Sequence, residues 1–239
     1  MRNRWFIALA AIGLHISIGS VYAWSVLTRP IMADMGFTLS QTTWTFSLAI
    51  LMLGLSAGFL GSFAEKIGPK KSGLLAMLFW VTGLLGTAYA LSIHNLTLLY
   101  LFYGIIGGIG LGIGYITPVS TLVKYFPNRP GFATGLAIMG FGFASLIAGP
   151  LMQYLVAQVG LVDTFIILGV IYLVIMSASS LYLKAPQPKH PTRTTKDKST
   201  MYVHTHGMLA NDAMKTWQFG ALWWVFFINI TCGIGLLSL

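Results

Sequence analysis

The sequence predicts an all-α protein that threads a membrane repeatedly, and three observations carry that expectation. Only 8% of its 239 residues are charged while 56% are hydrophobic, against about a quarter charged in a soluble domain. Seven apolar stretches without a single Asp, Glu, Lys or Arg follow one another almost without pause. Thirteen of the fourteen basic residues fall in the segments that alternate threading would place on one side.

The stretches are taken in order. Residues 5–26 follow Arg2 and Arg4. This start, ending in "SVYA", has the outline of a signal peptide cleaved after Ala23, but the run is long enough to span a bilayer as it stands. Residues 44–64 end at Glu65 and Lys66, and 72–93 leave a tight turn at Gly68–Pro69 followed by Lys70 and Lys71. Residues 97–119 hold a run of glycines, and 131–156 hold Gly149–Pro150, read as a kink supported by neighbouring helices. Residues 164–183 complete a sixth span. Soluble core helices of this length would each show a polar face, and these do not.

The outer turns, 28–43, 94–96 and 157–163, leave no room for an extracellular domain. The one long connection, 184–218, opens "KAPQPKHPTRTTKDKST" and is rich in Pro, Thr and Lys, the composition of a mobile linker that cannot bury enough apolar surface to fold. A seventh stretch, 219–239, ends the sequence. The expected organisation is therefore a six-helix bundle over 1–183, a basic linker over 184–218 and the first helix of a second bundle over 219–239. That pattern reads as an incomplete chain lacking a C-terminal half.

With the N-terminus in the cytoplasm, the inner segments 1–4, 65–71, 120–130 and 184–218 hold every Lys and Arg except Arg29. This positive-inside bias sets a multi-pass topology in a cell (inner) membrane. The net charge of +9 is then a topology signal that also attracts anionic lipid. It forms no continuous patch of the kind that binds nucleic acid. Cys232 is the single cysteine, which excludes an intramolecular disulfide and cysteine-rich metal sites. No HExxH, nucleophile–base pair or paired carboxylates are present, so neither an enzyme nor a cofactor is expected. His204 and His206 in the linker make only a lone H-x-H, short of a metal site.

The glycine run "GIIGGIGLGIGY" (104–115) is not a dinucleotide fingerprint. It continues one apolar span, and no acidic residue occurs between Glu65 and Asp163. Gly104/Gly108, Gly108/Gly112 and Gly110/Gly114 are small-xxx-small pairs that bare backbone for close helix packing. A second pattern links "GSVY" (19–22) and "GIGY" (112–115). Each tyrosine lies about seven residues past the midpoint of its apolar stretch, roughly 10 Å at the helical rise. Because the two helices run oppositely, this places Tyr22 and Tyr115 on opposite sides of the midplane, as inverted repeats would. His15, an ionisable group inside the first span, is a candidate proton relay; without a carboxylate partner it is read in preference as making a neutral interhelical hydrogen bond.

These residues resemble the major facilitator superfamily, and within it the oxalate/formate antiporter family. "GSFAEKIGPKKSG" (61–73) is similar to the superfamily motif G-x-L-A-D-R-x-G-R-K: Gly61, Gly68 and Lys70 match, Glu65 and Lys66 stand for its acidic and basic positions, and Pro69 departs from it. "NRWF" (3–6), "GSVYAWSVLTRP" (19–30), "KYFPNRPGFATG" (124–135) and "TWQFGALW" (216–223) carry the closer resemblance. It implies a secondary transporter of small organic carboxylate anions, oxalate/formate- or monocarboxylate-type, working by alternating access with an exchange anion or a proton. It also implies that tyrosines and tryptophans line the site: Tyr22, Trp24 and Tyr115 match, while Phe141 stands where a tyrosine is usual. The 65–71 loop, with Gly61, Glu65, Lys66, Gly68 and Lys70, is read as a gate in which Glu65 and Lys66 pair to helix ends, beside the plainer reading of Lys66, Lys70 and Lys71 as a positive-inside anchor. The basic residues that meet the anion belong to helices eight and eleven, beyond Leu239.

The residues themselves agree on one point. An anion at the midplane requires positive charge or several strong donors; the seven spans offer no positive charge, and their most polar interior groups are His15, Ser17, Ser20, Tyr22, Tyr115, Thr117, Ser120 and Gln153. The competing reading is a non-transporting seven-helix fragment or an assembly or sensor module.

Overall fold

A computed structural model describes residues 3–186 and 210–237. The chain divides into two compact units, one reaching Pro186 and one from Gln187 to Leu237. The described part of the linker is confined to its ends, so most of it, with His204 and His206, lies outside the described residues.

The first unit is a bundle of six helices. α1 runs over Arg4–Met35, α2 over Leu39–Ile67, α3 over Pro69–Ser92 and α4 over Leu96–Tyr125. The last helical run, Pro130–Tyr182, is divided by Gly160, whose φ of 83° and ψ of 177° lie outside helical geometry and suit glycine alone. We call its parts α5 (130–159) and α6 (161–182). Local chemistry sets the ends. Asn3 accepts from the Trp5 N–H, and Thr38 forms a capping box with Gln41. Proline opens α3 and α5, where its missing N–H costs nothing.

Four sequence expectations change here. The outer turn assigned to 28–43 shrinks to a few residues, because α1 continues through Arg29 and Asp34 to a left-handed cap at Gly36, whose N–H donates to the Met32 carbonyl at 3.0 Å. A helix can carry charge once it has left the hydrocarbon, so the end of an apolar stretch is not the end of its helix. The turn assigned to 157–163 reduces to the break at Gly160. Gln153, assigned to the interior, is exposed. Pro150 lies inside continuous helix, and the interruption of α5 comes earlier, at Phe143.

Helix α4 shows why its glycines are needed. A methyl group on Gly108 would lie 2.6 Å from Met52 Cβ and 2.8 Å from the Ala49 carbonyl, and one on Gly104 2.9 Å from Leu48 Cβ, so this face lies against α2. Gly110 meets the Trp80 amide and Ala76 carbonyl of α3 at 2.6 and 3.0 Å, and Gly114 meets Ile18 of α1 at 3.1 Å. Three neighbours thus approach one helix at backbone distance, which only residues without a side chain allow. The segment Tyr100–Gly107 is wound as a π-helix, a rare form often found at functional sites. Helix α6 closes the bundle by setting Ser179 against Gly13 of α1 and Ser180 against Gly73 of α3.

In the second unit a short helix, Ala210–Ala213, precedes α7, Trp217–Leu237. Thr216 Oγ1 accepts from the Phe219 N–H at 3.3 Å, capping α7, and Trp223 stacks on Phe227 at 5.0 Å.

Candidate functional site

Helix α1 loosens into a 3-10 turn over Ser20–Ala23, a mid-helix irregularity of the kind found at hinges and sites. Directly before it, Gly19 lets α5 approach so closely that a methyl group there would fall on the Phe141 carbonyl and 2.7 Å from Ala144 Cβ. The interruption of α5 at Phe143 is on the facing side of this contact. Two irregular stretches therefore meet, and the aromatic side chains beside them converge.

Phe141 is the hub. Its ring meets Tyr22 edge-on at 5.0 Å and Tyr115 edge-on at 5.2 Å, with interplanar angles of 87° and 85°. Edge-to-face pairs of this kind contribute about 0.5–1.5 kcal/mol each beyond the area they bury. Phe141 is buried, while Tyr22 and Tyr115 are partly exposed. The structure thus brings together three of the four aromatic residues singled out in the sequence. Tyr22 and Tyr115 flank one ring from two oppositely running helices. With α1 running over Arg4–Met35 and α4 over Leu96–Tyr125, Tyr22 and Tyr115 lie only about 4 and 7 Å past the helix centres.

Trp24, the fourth, is elsewhere. It is fully buried, packed at 4.4 Å on Tyr103, which also contacts Trp80 at 5.6 Å and Phe165 at 6.2 Å. In this conformation it offers no surface to a ligand and instead anchors α1 to α3, α4 and α6. Tyr103 carries no signal in the sequence, because nothing in a uniformly apolar stretch marks one ring as a hub.

Behind the trio lies His15, fully buried on α1. Its Nδ1 is 2.5 Å from the Ala137 carbonyl of α5 and its Nε2 is 3.0 Å from the Tyr115 carbonyl of α4. Its ring stacks on Tyr115 at 5.5 Å and meets Phe141 edge-on at 5.8 Å. The interhelical bond expected of His15 is therefore a contact to two helices. Among the described residues of the six spans facing this region, no Lys, Arg, Asp or Glu lies in the apolar interior; Lys124 and Arg129 sit at one end of α4 and α5 and Asp163 at the other. Beside the site, Thr117 donates to the Ile113 carbonyl at 2.8 Å, so the 2.6 Å contact between Ser72 and Thr117 has Ser72 as donor and ties α3 to α4.

At the far end of α2, Glu65 Oε1 accepts from Lys124 Nζ at 3.2 Å, both about half exposed. Gly61 approaches α4 so closely that a methyl group would lie 2.9 Å from Ile116 Cδ1. Gly68 makes the turn into α3 with φ 82°, and Lys66 and Lys70 are exposed. Lys124 was read only as a topology charge; its partner is 59 residues away, a pairing without any signal in sequence.

Comparison with known proteins adds the following. The family model of the Major Facilitator Superfamily matches residues 6–239. An uncharacterized MFS-type transporter, YhjX, of Escherichia coli (strain K12) is 32% identical over 81% of this chain and 47% of its own length. The oxalate:formate antiporter of Oxalobacter formigenes is 25% identical over 94% of the chain and 52% of its own. Monocarboxylate transporter 14 of Homo sapiens is 27% identical over 78% and 36%. The matched region is thus about half, or less, of each of these relatives.

Proposed function

The chain belongs to the Major Facilitator Superfamily, and on that premise we propose that it supplies the N-terminal half of a secondary carrier for small organic carboxylate anions. The observation that carries this reading is the trio Tyr22, Phe141 and Tyr115, two hydroxyl donors flanking one ring where α1, α4 and α5 converge. Hydroxyls orient a carboxylate without neutralising it, so the site requires cations from outside these six helices. A C-terminal six-helix half provides them, and relatives named for oxalate, formate and monocarboxylates favour this substrate class over a neutral one.

In this reading the N-terminus is cytoplasmic and the membrane is the cell (inner) membrane. The two halves rock about the trio, exposing it alternately to each side, with either an exchange anion or a proton as the coupled species. The Glu65–Lys124 pair latches the cytoplasmic ends of α2 and α4 in one state and parts or re-pairs in the other. Trp24 holds the outer half of α1 in place without contacting the anion.

The test is counterflow of labelled formate, oxalate and pyruvate by the complete carrier in liposomes. Tyr22→Ala is expected to weaken exchange at unchanged expression by about tenfold or more, as loss of a hydrogen bond to a charged group costs about 1.5–3 kcal/mol. Unchanged counterflow in that variant removes Tyr22 from the site, and absence of exchange by the unaltered carrier removes the substrate class.

A further inference from the structure

We propose that His15 is a proton-binding site, holding the proton as an imidazolium that ties α4 to α5 directly behind the aromatic trio. The geometry points to this through the chemistry of the two partners. Both ring nitrogens face backbone carbonyl oxygens, Ala137 on α5 at 2.5 Å and Tyr115 on α4 at 3.0 Å. A carbonyl only accepts. A neutral imidazole carries one N–H, so whichever tautomer forms, its second nitrogen turns a lone pair toward an oxygen lone pair. The imidazolium carries two N–H donors and satisfies both carbonyls at once. The proton is transferred from hydronium to the unprotonated ring nitrogen: one O–H bond of hydronium breaks, the N–H bond forms and water is left.

The surroundings decide when the charge is tolerated. The titratable groups near His15 are tyrosines: Tyr115, stacked on its ring, Tyr22 beyond Phe141, and Tyr172 of α6 against Ser20. No carboxylate faces it from α4, α5 or α6 among the described residues; Asp163 is at the outer end of α6, and Lys124 and Arg129 are at the inner ends of α4 and α5. An isolated buried cation is costly, but the Tyr115 face lies 5.5 Å from the ring, within cation–π range. An anion held by Tyr22 and Tyr115 would stand on the other side of that same wall. The proton then travels with the carboxylate as its local counter-charge. His15 would also act as a positioning residue, since its two bonds fix the backbones that carry Tyr115 and Phe141.

This use of the proton rests on the carrier reading, whereas its binding to His15 does not, and the experiment separates them. The protein in lipid nanodiscs, with His94→Asn and His190, His204 and His206 each replaced by Gln, leaves His15 as the sole histidine. Nitrogen NMR of that ring is recorded across about pH 5 to 8, where histidine changes charge. Two protonated nitrogens at the acid end are expected, and a single neutral tautomer at every pH overturns the proposal whether or not transport is seen. In liposomes, His15→Gln is expected to lower the internal acidification per carboxylate taken up, a ratio that is read independently of any change in the exchange rate. Acidification at the unaltered stoichiometry in that variant equally overturns it. Absence of exchange by the unaltered carrier sinks the carrier reading alone, leaving the NMR result to decide His15.

Discussion

Replacing Gly108 by alanine tests the close packing of α4 against α2. The added Cβ would sit 2.6 Å from Met52 Cβ, 2.8 Å from the Ala49 carbonyl and 3.2 Å from Ala49 Cα. Carbon atoms prefer about 3.5–4.0 Å, so α2 and α4 must part by about 1 Å. Two of the three obstacles are backbone, which cannot rotate away as a side chain can. Separation at Gly108 also loosens the neighbouring contacts of Gly104 with Leu48 and of Gly112 with Leu53 and Ala57. Overpacking of this kind costs about 1–3 kcal/mol, against which alanine's better helix propensity returns about 0.5–1 kcal/mol. The net loss lowers the melting temperature by about 2–4 °C per kcal/mol in a chain of this size. Gly58, exposed on α2 with nothing within 4 Å, is the control: Gly58→Ala should leave stability unchanged or raise it. The assay is thermal unfolding of the purified protein in detergent, read by size-exclusion recovery after heating. Equal melting temperatures for the two variants would refute the account of the glycine run as a three-sided packing device.

Other consequences follow from single contacts. Ser72→Ala removes a donor while Thr117 keeps its bond to Ile113, so it should cost about 1 kcal/mol; Thr117→Val strands the buried Ser72 hydroxyl and should cost more, about 1–3 kcal/mol, both read by thermal unfolding. Gly160→Ala forces φ 83° on a residue with a side chain and should destabilise by about 1–2 kcal/mol, although nothing lies within 4 Å of it; unchanged stability would mean that the break moves elsewhere. For the half-exposed Glu65–Lys124 pair, Glu65→Gln should change stability by less than about 1 kcal/mol. A larger effect of Glu65→Gln on transport rate than on stability, restored in the Glu65→Lys/Lys124→Glu exchange, would assign the pair to the conformational cycle.

By itself the sequence determined that the chain is helical, that it crosses a membrane several times and that the glycines of its fourth span serve packing and not phosphate binding. These are local, additive properties: hydropathy sums over a stretch, and a missing side chain is missing wherever the helix goes. Motif matching supplied more, drawing Tyr22, Tyr115 and Phe141 from three separate stretches before any contact was known. Helix ends were less legible, because α1 continues past its apolar run through Arg29 and Asp34 to Gly36. Only the tertiary structure decided that Tyr22 and Tyr115 share one ring, that Trp24 turns instead to Tyr103, that Glu65 finds Lys124 and that His15 reaches two carbonyls, one of them 122 residues away. Such meetings depend on the register between helices. Each residue advances a helix by 1.5 Å and turns it by about 100°, so a shift of one or two positions points a side chain at a different neighbour while leaving the hydropathy of the stretch unchanged.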